Sequence, residues 1–178
     1  MEVFNPRKSK LSPVEQTIGG HVSTFLRSQQ DTKFNGPILT SVRMIELPEG
    51  KHAYILYVVK RQFYKVRALQ ERIVDDLEKK LGGPVMLIAD RRTNLKQKMS
   101  AKGGAKTNRT AMRDAMLHDL VHPHIVAGKR LRLNADQSSL LKVFLTSMDT
   151  AKLEDKLKIY STIFGTLTNQ RVEFLMHQ

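Results

Sequence analysis

The stretch KVRALQERIVDDLEKKLGGPVMLIAD, residues 65–90, sets the fold class. From Val66 the apolar residues Leu69, Ile73, Leu77 and Leu81 recur at spacings of three and four, which predicts an amphipathic helix. Lys79 and Lys80 sit where the last turn favours cations, and Gly82, Gly83 and Pro84 end the helix. VMLIA follows as an unbroken apolar run, the pattern of a strand covered on both faces. Upstream, residues 38–46 and 52–60 are rich in β-branched and aromatic side chains. Pro48, Glu49 and Gly50 between them supply turn chemistry, so a β-hairpin precedes the helix. The order is strand, helix, strand, with a right-handed crossover expected if the two strands run parallel.

Working outward, Ser12, Pro13 and Glu15 form a capping-box pattern, and Val14, Ile18, Val22 and Phe25 mark a helix over about residues 13–29. Gly19 and Gly20 weaken that helix by about 1 kcal/mol each relative to alanine. Towards the C-terminus, Thr110 is placed to cap a helix bearing Met112, Met116 and Leu120, which Pro123 stops. Leu131 and Leu133 alternate with Arg130 and Arg132, and LLKVFL at 140–145 follows a turn region at 134–139, which predicts a second hairpin. Asp149 opens a helix with Leu153, Leu157, Tyr160, Phe164 and Leu167 on one stripe, and Val172, Phe174 and Met176 alternate as a closing strand. The expectation is an α+β fold: a mixed, largely antiparallel sheet packed with helices, one domain over residues 1–178, with a basic loop at 91–109 projecting from the globule. No internal repeat is visible.

Composition narrows the function. The 178 residues hold 30 Lys and Arg against 17 Asp and Glu, a formal net charge of +13, which attracts polyanions. There is no cysteine, so thiolate zinc sites, disulfides and cysteine nucleophiles are excluded, and a reducing compartment is expected. Aromatic residues make up 6%, few for a protein that grips single strands by stacking, so contact with the phosphate backbone is the favoured mode. The longest near-continuous apolar stretch, residues 53–59, is far short of a bilayer span, and the first ten residues lack the apolar middle of a secretory signal.

The charge is concentrated. RRTNLKQKMSAKGGAKTNR, residues 91–109, carries seven of the thirteen net charges and no acid. Arg91, Arg92, Lys96, Lys98, Lys102, Lys106 and Arg109 can each neutralise a phosphate, and Gly103 and Gly104 let the chain bend. The bland alternative is a nuclear-localisation signal or a loose loop. Lys129, Arg130 and Arg132 of the second hairpin are read as an extension of the same basic patch. GGAKT at 103–107 resembles a phosphate-binding loop, but Ala105 stands where a glycine must precede the lysine. His118, His122 and His124 cluster around Asp119 at a spacing that suits a metal, without the glutamate a metalloprotease helix needs; histidines at a helix end are the plainer reading. Asp75, Asp76 and Glu78 read as solvated salt pairs, and Asp136, Ser138 and Ser139 as turn residues. No catalytic or metal-ligating residue is assigned, and no cofactor. The rival readings are a nucleic-acid-processing enzyme that holds its substrate with the basic loop, and a free-standing DNA-binding protein.

Three blocks in sequence resemble one family: IVDDLEKKLGGPVMLIADRR at 73–92, RDAMLHDLVHP at 113–123 and IVAGKRLRLNADQSSLLKVFL at 125–145. They are similar to the eukaryote-specific ribosomal protein S7e family, in which a LEKK helix leads to a buried strand and an arginine pair, then a basic loop, a DLV helix end and a GKR hairpin. The resemblance spans roughly residues 38–176. It departs at His122, where the family usually has phenylalanine, at His118, often an acid, and in a basic loop sparser in cations. The resemblance implies a structural constituent of the small ribosomal subunit, with small-subunit rRNA and neighbouring ribosomal proteins as partners and assembly factors during biogenesis. It implies support for subunit assembly and rRNA maturation, and a cytoplasmic ribosome location with nuclear and nucleolar passage. No membrane, small-molecule substrate or catalysis is implied. Arg91 to Arg109, with Lys129 and Arg130, match the family's basic loop and hairpin.

Overall fold

The computed structural model describes residues 3–4, 11–28, 34, 36–48, 50–91, 109–135, 138–146 and 150–176. By its internal contacts the chain divides into two compact units, Met1–Arg91 and Arg92–Gln178. The sequence reading expects one sheet; the strands are in fact shared between two three-stranded sheets, one per unit. The mixed α+β class stands. The balance of strand directions differs from the expectation, since each sheet has one antiparallel and one parallel pair.

The first unit runs α1 (Pro13–Ser28), β1 (Leu39–Glu46), β2 (His52–Val59), α2 (Phe63–Ala68), α3 (Gln70–Leu81) and β3 (Val85–Asp90). The capping box forms as the sequence predicts. The Glu15 backbone N–H donates to Ser12 Oγ at 3.2 Å, and the Ser12 N–H donates to Glu15 Oε2 at 3.1 Å. Glu15 is buried, and its second oxygen accepts the Val42 N–H at 3.0 Å, which ties the start of α1 to β1. The predicted long helix is two, because Leu69 leaves α-helical geometry at φ −106°, ψ 6° and its N–H turns back to the Val66 carbonyl at 3.0 Å. Such a three-residue closure is a tighter turn than the α-helix. Gly82 ends α3 in the left-handed region at φ +67°. Gly83 is required by packing: a Cβ there lies 2.2 Å from the His52 carbonyl oxygen.

β2 and β3 are parallel, the pairing that a helical crossover between them allows. Leu56, Val58, Val85, Leu87 and Ala89 join Ile18, Val22, Leu26, Ile73 and Leu77 of α1 and α3 in one core. Ala53, Ile55, Met86 and Ile88, which alternate with these strand residues, are buried as well, in accord with the uninterrupted apolar pattern of β3.

The second unit runs α4 (Arg109–Val121), β4 (Ile125–Leu133), β5 (Ser139–Thr146), α5 (Thr150–Thr168) and β6 (Arg171–Met176). Thr110, expected as a cap, lies inside the first turn of α4, and Asp149 lies outside the described residues. Val143, Leu145, Ile163, Tyr160, Phe164 and Phe174 are buried; the Phe174 ring lies 5.9 Å from Tyr160 and 6.3 Å from Phe164 of α5, the latter edge-to-face. Such pairs add about 1 kcal/mol beyond burial. Asn169 follows α5 at φ +53°, in the role that Gly82 plays after α3.

The units share a plan that the sequence does not announce. Each runs helix, strand, strand, helical segment, strand, with an antiparallel hairpin followed by a parallel crossover, and each sheet is ordered as its strands occur in the chain. In each, a polar side chain of the crossover helix accepts an N–H of the strand it precedes: Glu78 Oε1 from Val85 at 3.1 Å, and Ser161 Oγ from Phe174 at 3.4 Å.

Candidate nucleic-acid interface

Side chains alternate across a strand, so residues 129 to 132 cannot all face one way. Lys129 lies level with Val143 of the buried face, and its Nζ is 2.7 Å from Asp114 Oδ1 of α4. Arg130 and Arg132 point to the opposite face, and both are exposed. The extended basic patch read from the hairpin is therefore split: the structure brings Arg130 and Arg132 together and sends Lys129 to a helix.

Register adds two cations that the sequence reading did not single out. Arg130 is level with Lys142 and Glu173, and Arg132 with Leu140 and Arg171. Lys142 Nζ and Glu173 Oε2 are 2.9 Å apart, so that row is partly neutralised, while Arg171 is exposed. Four cations thus stand against one carboxylate on this face. The next row is Gly128, Phe144 and Leu175, where a Cβ on Gly128 would come within 3.9 Å of Phe144 Cδ2. Gly128 adds no side chain to this row, and the Phe144 ring is half-exposed beside the arginines. Both helices of the unit contact the other face, through Lys129 with Asp114 and Phe174 with Tyr160 and Phe164. A sheet face with planar guanidiniums at alternate positions can engage successive phosphates bidentately, as lysine alone cannot. The signal for Lys142 and Arg171 was the period of two in LLKVFL and RVEFLM; what was missing was the pairing of β6 with β5.

Among the predicted contacts of the basic segment, Arg91 belongs to the first unit, half-buried, with its guanidinium carbon 5.8 Å from the centroid of the Phe63 ring. Arg67 lies 5.9 Å from the same ring. Arg109 opens α4, whereas Arg92, Lys96, Lys98, Lys102 and Lys106, with Gly103 and Gly104, lie outside the described residues.

The other motifs have structural roles. His124 packs edge-to-face on Tyr160 at 6.2 Å, Asp119 is buried and His118 is exposed; among the described residues no group of three His, Cys, Asp or Glu is placed to hold a metal. Asp76 pairs with Lys80 at 2.6 Å, and Glu78 is committed to β3. Asn134 Nδ2 donates to Ser138 Oγ at 2.9 Å within the hairpin turn, and Asp136 lies outside the described residues. Among the described residues no helix is long and apolar enough to cross a membrane.

Two small mixed sheets with helices, one of them presenting a cationic face, define a basic α+β protein without a catalytic constellation among the described residues. The family model for ribosomal protein S7e matches residues 2–176. The small ribosomal subunit protein eS7 of Dictyostelium discoideum is 35% identical over 141 residues, 75% of this chain and 72% of that one. That of Anopheles gambiae is 35% identical over 143 residues, covering 76% and 74%. That of Avicennia marina is 29% identical over 178 residues, covering 97% and 94%. The chain belongs to the ribosomal protein S7e family of the eukaryotic small subunit, and is accordingly a structural ribosomal protein and not an enzyme.

Proposed function

We propose that the chain binds rRNA of the small subunit through phosphate contacts at two places: the acid-free segment 91–109, and the sheet face that carries Arg130, Arg132, Lys142 and Arg171. The observation that supports this best is the register that aligns those four cations on one face of the second sheet, in a chain whose relatives are named as small-subunit proteins. Neighbouring ribosomal proteins are its other partners. Support for subunit assembly and rRNA maturation, contact with assembly factors and passage through the nucleolus complete the proposal. Sequence in the RNA is not read, because duplex RNA hides its base edges in a deep, narrow groove; shape and backbone geometry select the site.

Sucrose-gradient sedimentation of cell extract tests this. The expected outcome is co-migration with small subunits that persists at moderate salt and dissociates steeply at high salt. A chain found only at the top of the gradient, with a preference for duplex DNA in filter binding, overturns it.

A further inference from the structure

The turn and short helix α2 that join β2 to α3 hold a second acid-free run of cations, and this one includes an exposed ring. Residues 60–67 read KRQFYKVR: four cations and no acid. The acids of α3 and Asp90 offset them in any broad charge average, so the cluster is invisible at that resolution. Its geometry is fixed from beneath. Gln62, Phe63 and Val66 are buried at 7%, 5% and 3% exposure, and the Val66 N–H donates to the Gln62 carbonyl at 3.0 Å. Lys60 and Arg61 of the preceding turn and Tyr64 and Lys65 of α2 are all exposed. Tyr64 is 82% exposed, the most open of the large apolar side chains among the described residues. Arg67 and Arg91 pack against Phe63 below. Arg91 reaches it from the end of β3, whose Asp90 is level with Val59 of β2.

A solvated ring on a short helix anchored by buried Phe63 and Val66, with exposed cations next to it in the chain, is poorly suited to an apolar protein partner and well suited to a flat group with flanking negative charge. We propose that an unstacked RNA base lies on the Tyr64 ring while the adjoining phosphates meet Lys60, Arg61 and Lys65. This deepens the rRNA reading and rests on it. It also adds a mode of contact: the sheet face of the second unit meets phosphates alone, whereas the first unit meets a base together with its adjoining phosphates. The few aromatics of the chain do not oppose it, because one ring serves one base.

The test uses the full chain, a fluorescein-labelled oligoadenylate and a blunt labelled RNA duplex, read by anisotropy. Tyr64→Ala is expected to weaken oligoadenylate binding about 5- to 150-fold, the range for loss of one base–aromatic stack, and to leave the duplex unaffected. Tyr64→Phe, which keeps the π-face, is expected to bind both probes within about twofold of the unaltered chain. Lys60→Gln/Arg61→Gln/Lys65→Gln is expected to weaken both probes and to reduce the magnitude of the salt slope by about 2 to 3. An unchanged melting temperature for Tyr64→Ala shows that the fold is intact. If Tyr64→Ala binds oligoadenylate normally, or weakens both probes equally, stacking at this turn is overturned. If it is silent while Arg130→Gln/Arg132→Gln weakens binding, this site falls and the rRNA reading stands. If the unaltered chain binds neither RNA at low salt, both fall.

Discussion

Gly19 and Gly20 are adjacent in the middle of α1 and look alike in sequence, yet their surroundings differ. A Cβ on Gly20 meets nothing within 4 Å, whereas a Cβ on Gly19 lies 2.6 Å from Cε2 of the buried Phe4 ring. Gly20→Ala is therefore expected to stabilise the chain by about 1 kcal/mol, through helix propensity and a less flexible unfolded state. That raises the melting temperature by about 2–4 °C. Gly19→Ala must displace Phe4, which bridges to Leu39 of β1, and is expected to destabilise by about 1–3 kcal/mol. Paired urea melts check the opposite signs; destabilisation by both substitutions refutes the account of Gly20. Tyr57 supplies a pH dependence. Burial pushes its phenol above the ordinary value of 10.0, with a small further push from Asp90, against the charge and hydrogen bond of Arg43, which pull it down. As pH rises past about 10 the unfolded chain releases this proton while the folded chain retains it, so folding stability falls with pH through that window. Tyr57→Phe is expected to flatten the fall, seen as a stability difference that shifts in favour of the variant between about pH 9 and 11.

At the scale of the element, strand β4 shows what a sequence can and cannot tell. Its alternation of Arg130 and Arg132 with Leu131 and Leu133 was legible, because a period of two fixes which side chains share a face. The GKR motif then misled by contiguity: Lys129 is one residue from Arg130 and on the other side of the sheet. Two substitutions separate them. Lys129→Gln removes an ion pair whose partners are 33% and 43% exposed, so its stability effect is at most about 1 kcal/mol and RNA affinity holds within about twofold. Arg130→Gln/Arg132→Gln is expected to weaken RNA binding about tenfold and to reduce the magnitude of the salt slope by about 1.5 to 2. Equal effects from the two variants contradict the assignment of faces. The helices show the same division. The capping box of α1 and the glycine stop of α3 were local patterns and formed as predicted. The break at Leu69 was not legible, since the apolar spacing runs unbroken through it and no glycine or proline marks it. On α4 the buried stripe is Leu117, Leu120 and Val121, with Met112 and Met116 only half-buried, because the sheet sets which face of the helix turns inward.

For the whole molecule, the repeated plan of the two units escaped the sequence for a physical reason. Topology depends on the order of elements, while the apolar pattern depends on how many faces are covered. β3 is buried on both faces and reads as a continuous apolar run; β5 and β6 carry a cationic face and read as alternation. Identical wiring thus produces dissimilar sequence. The total charge and its concentration in residues 91–109, in contrast, were legible, and they set a quantitative demand on the molecule. Seven of thirteen net positive charges fall in residues 91–109, and one of the seven, Arg91, is engaged with Phe63. If the remaining six each displace a counterion from RNA, they account for about 4 to 5 of the total slope of log affinity against log salt, with about 0.7 to 0.9 for each phosphate neutralised. A complex engaging about 7 to 10 phosphates has a slope of about −5 to −9. Converting Arg92, Lys96, Lys98, Lys102, Lys106 and Arg109 to glutamine is therefore expected to leave a slope of about −1 to −4, contributed by the sheet face and the Tyr64 segment, with residual binding at low salt. An unaltered chain with a slope shallower than about −2 contradicts phosphate neutralisation as the source of affinity. A six-residue variant with an unchanged slope moves the whole attachment onto the sheet face and the Tyr64 turn.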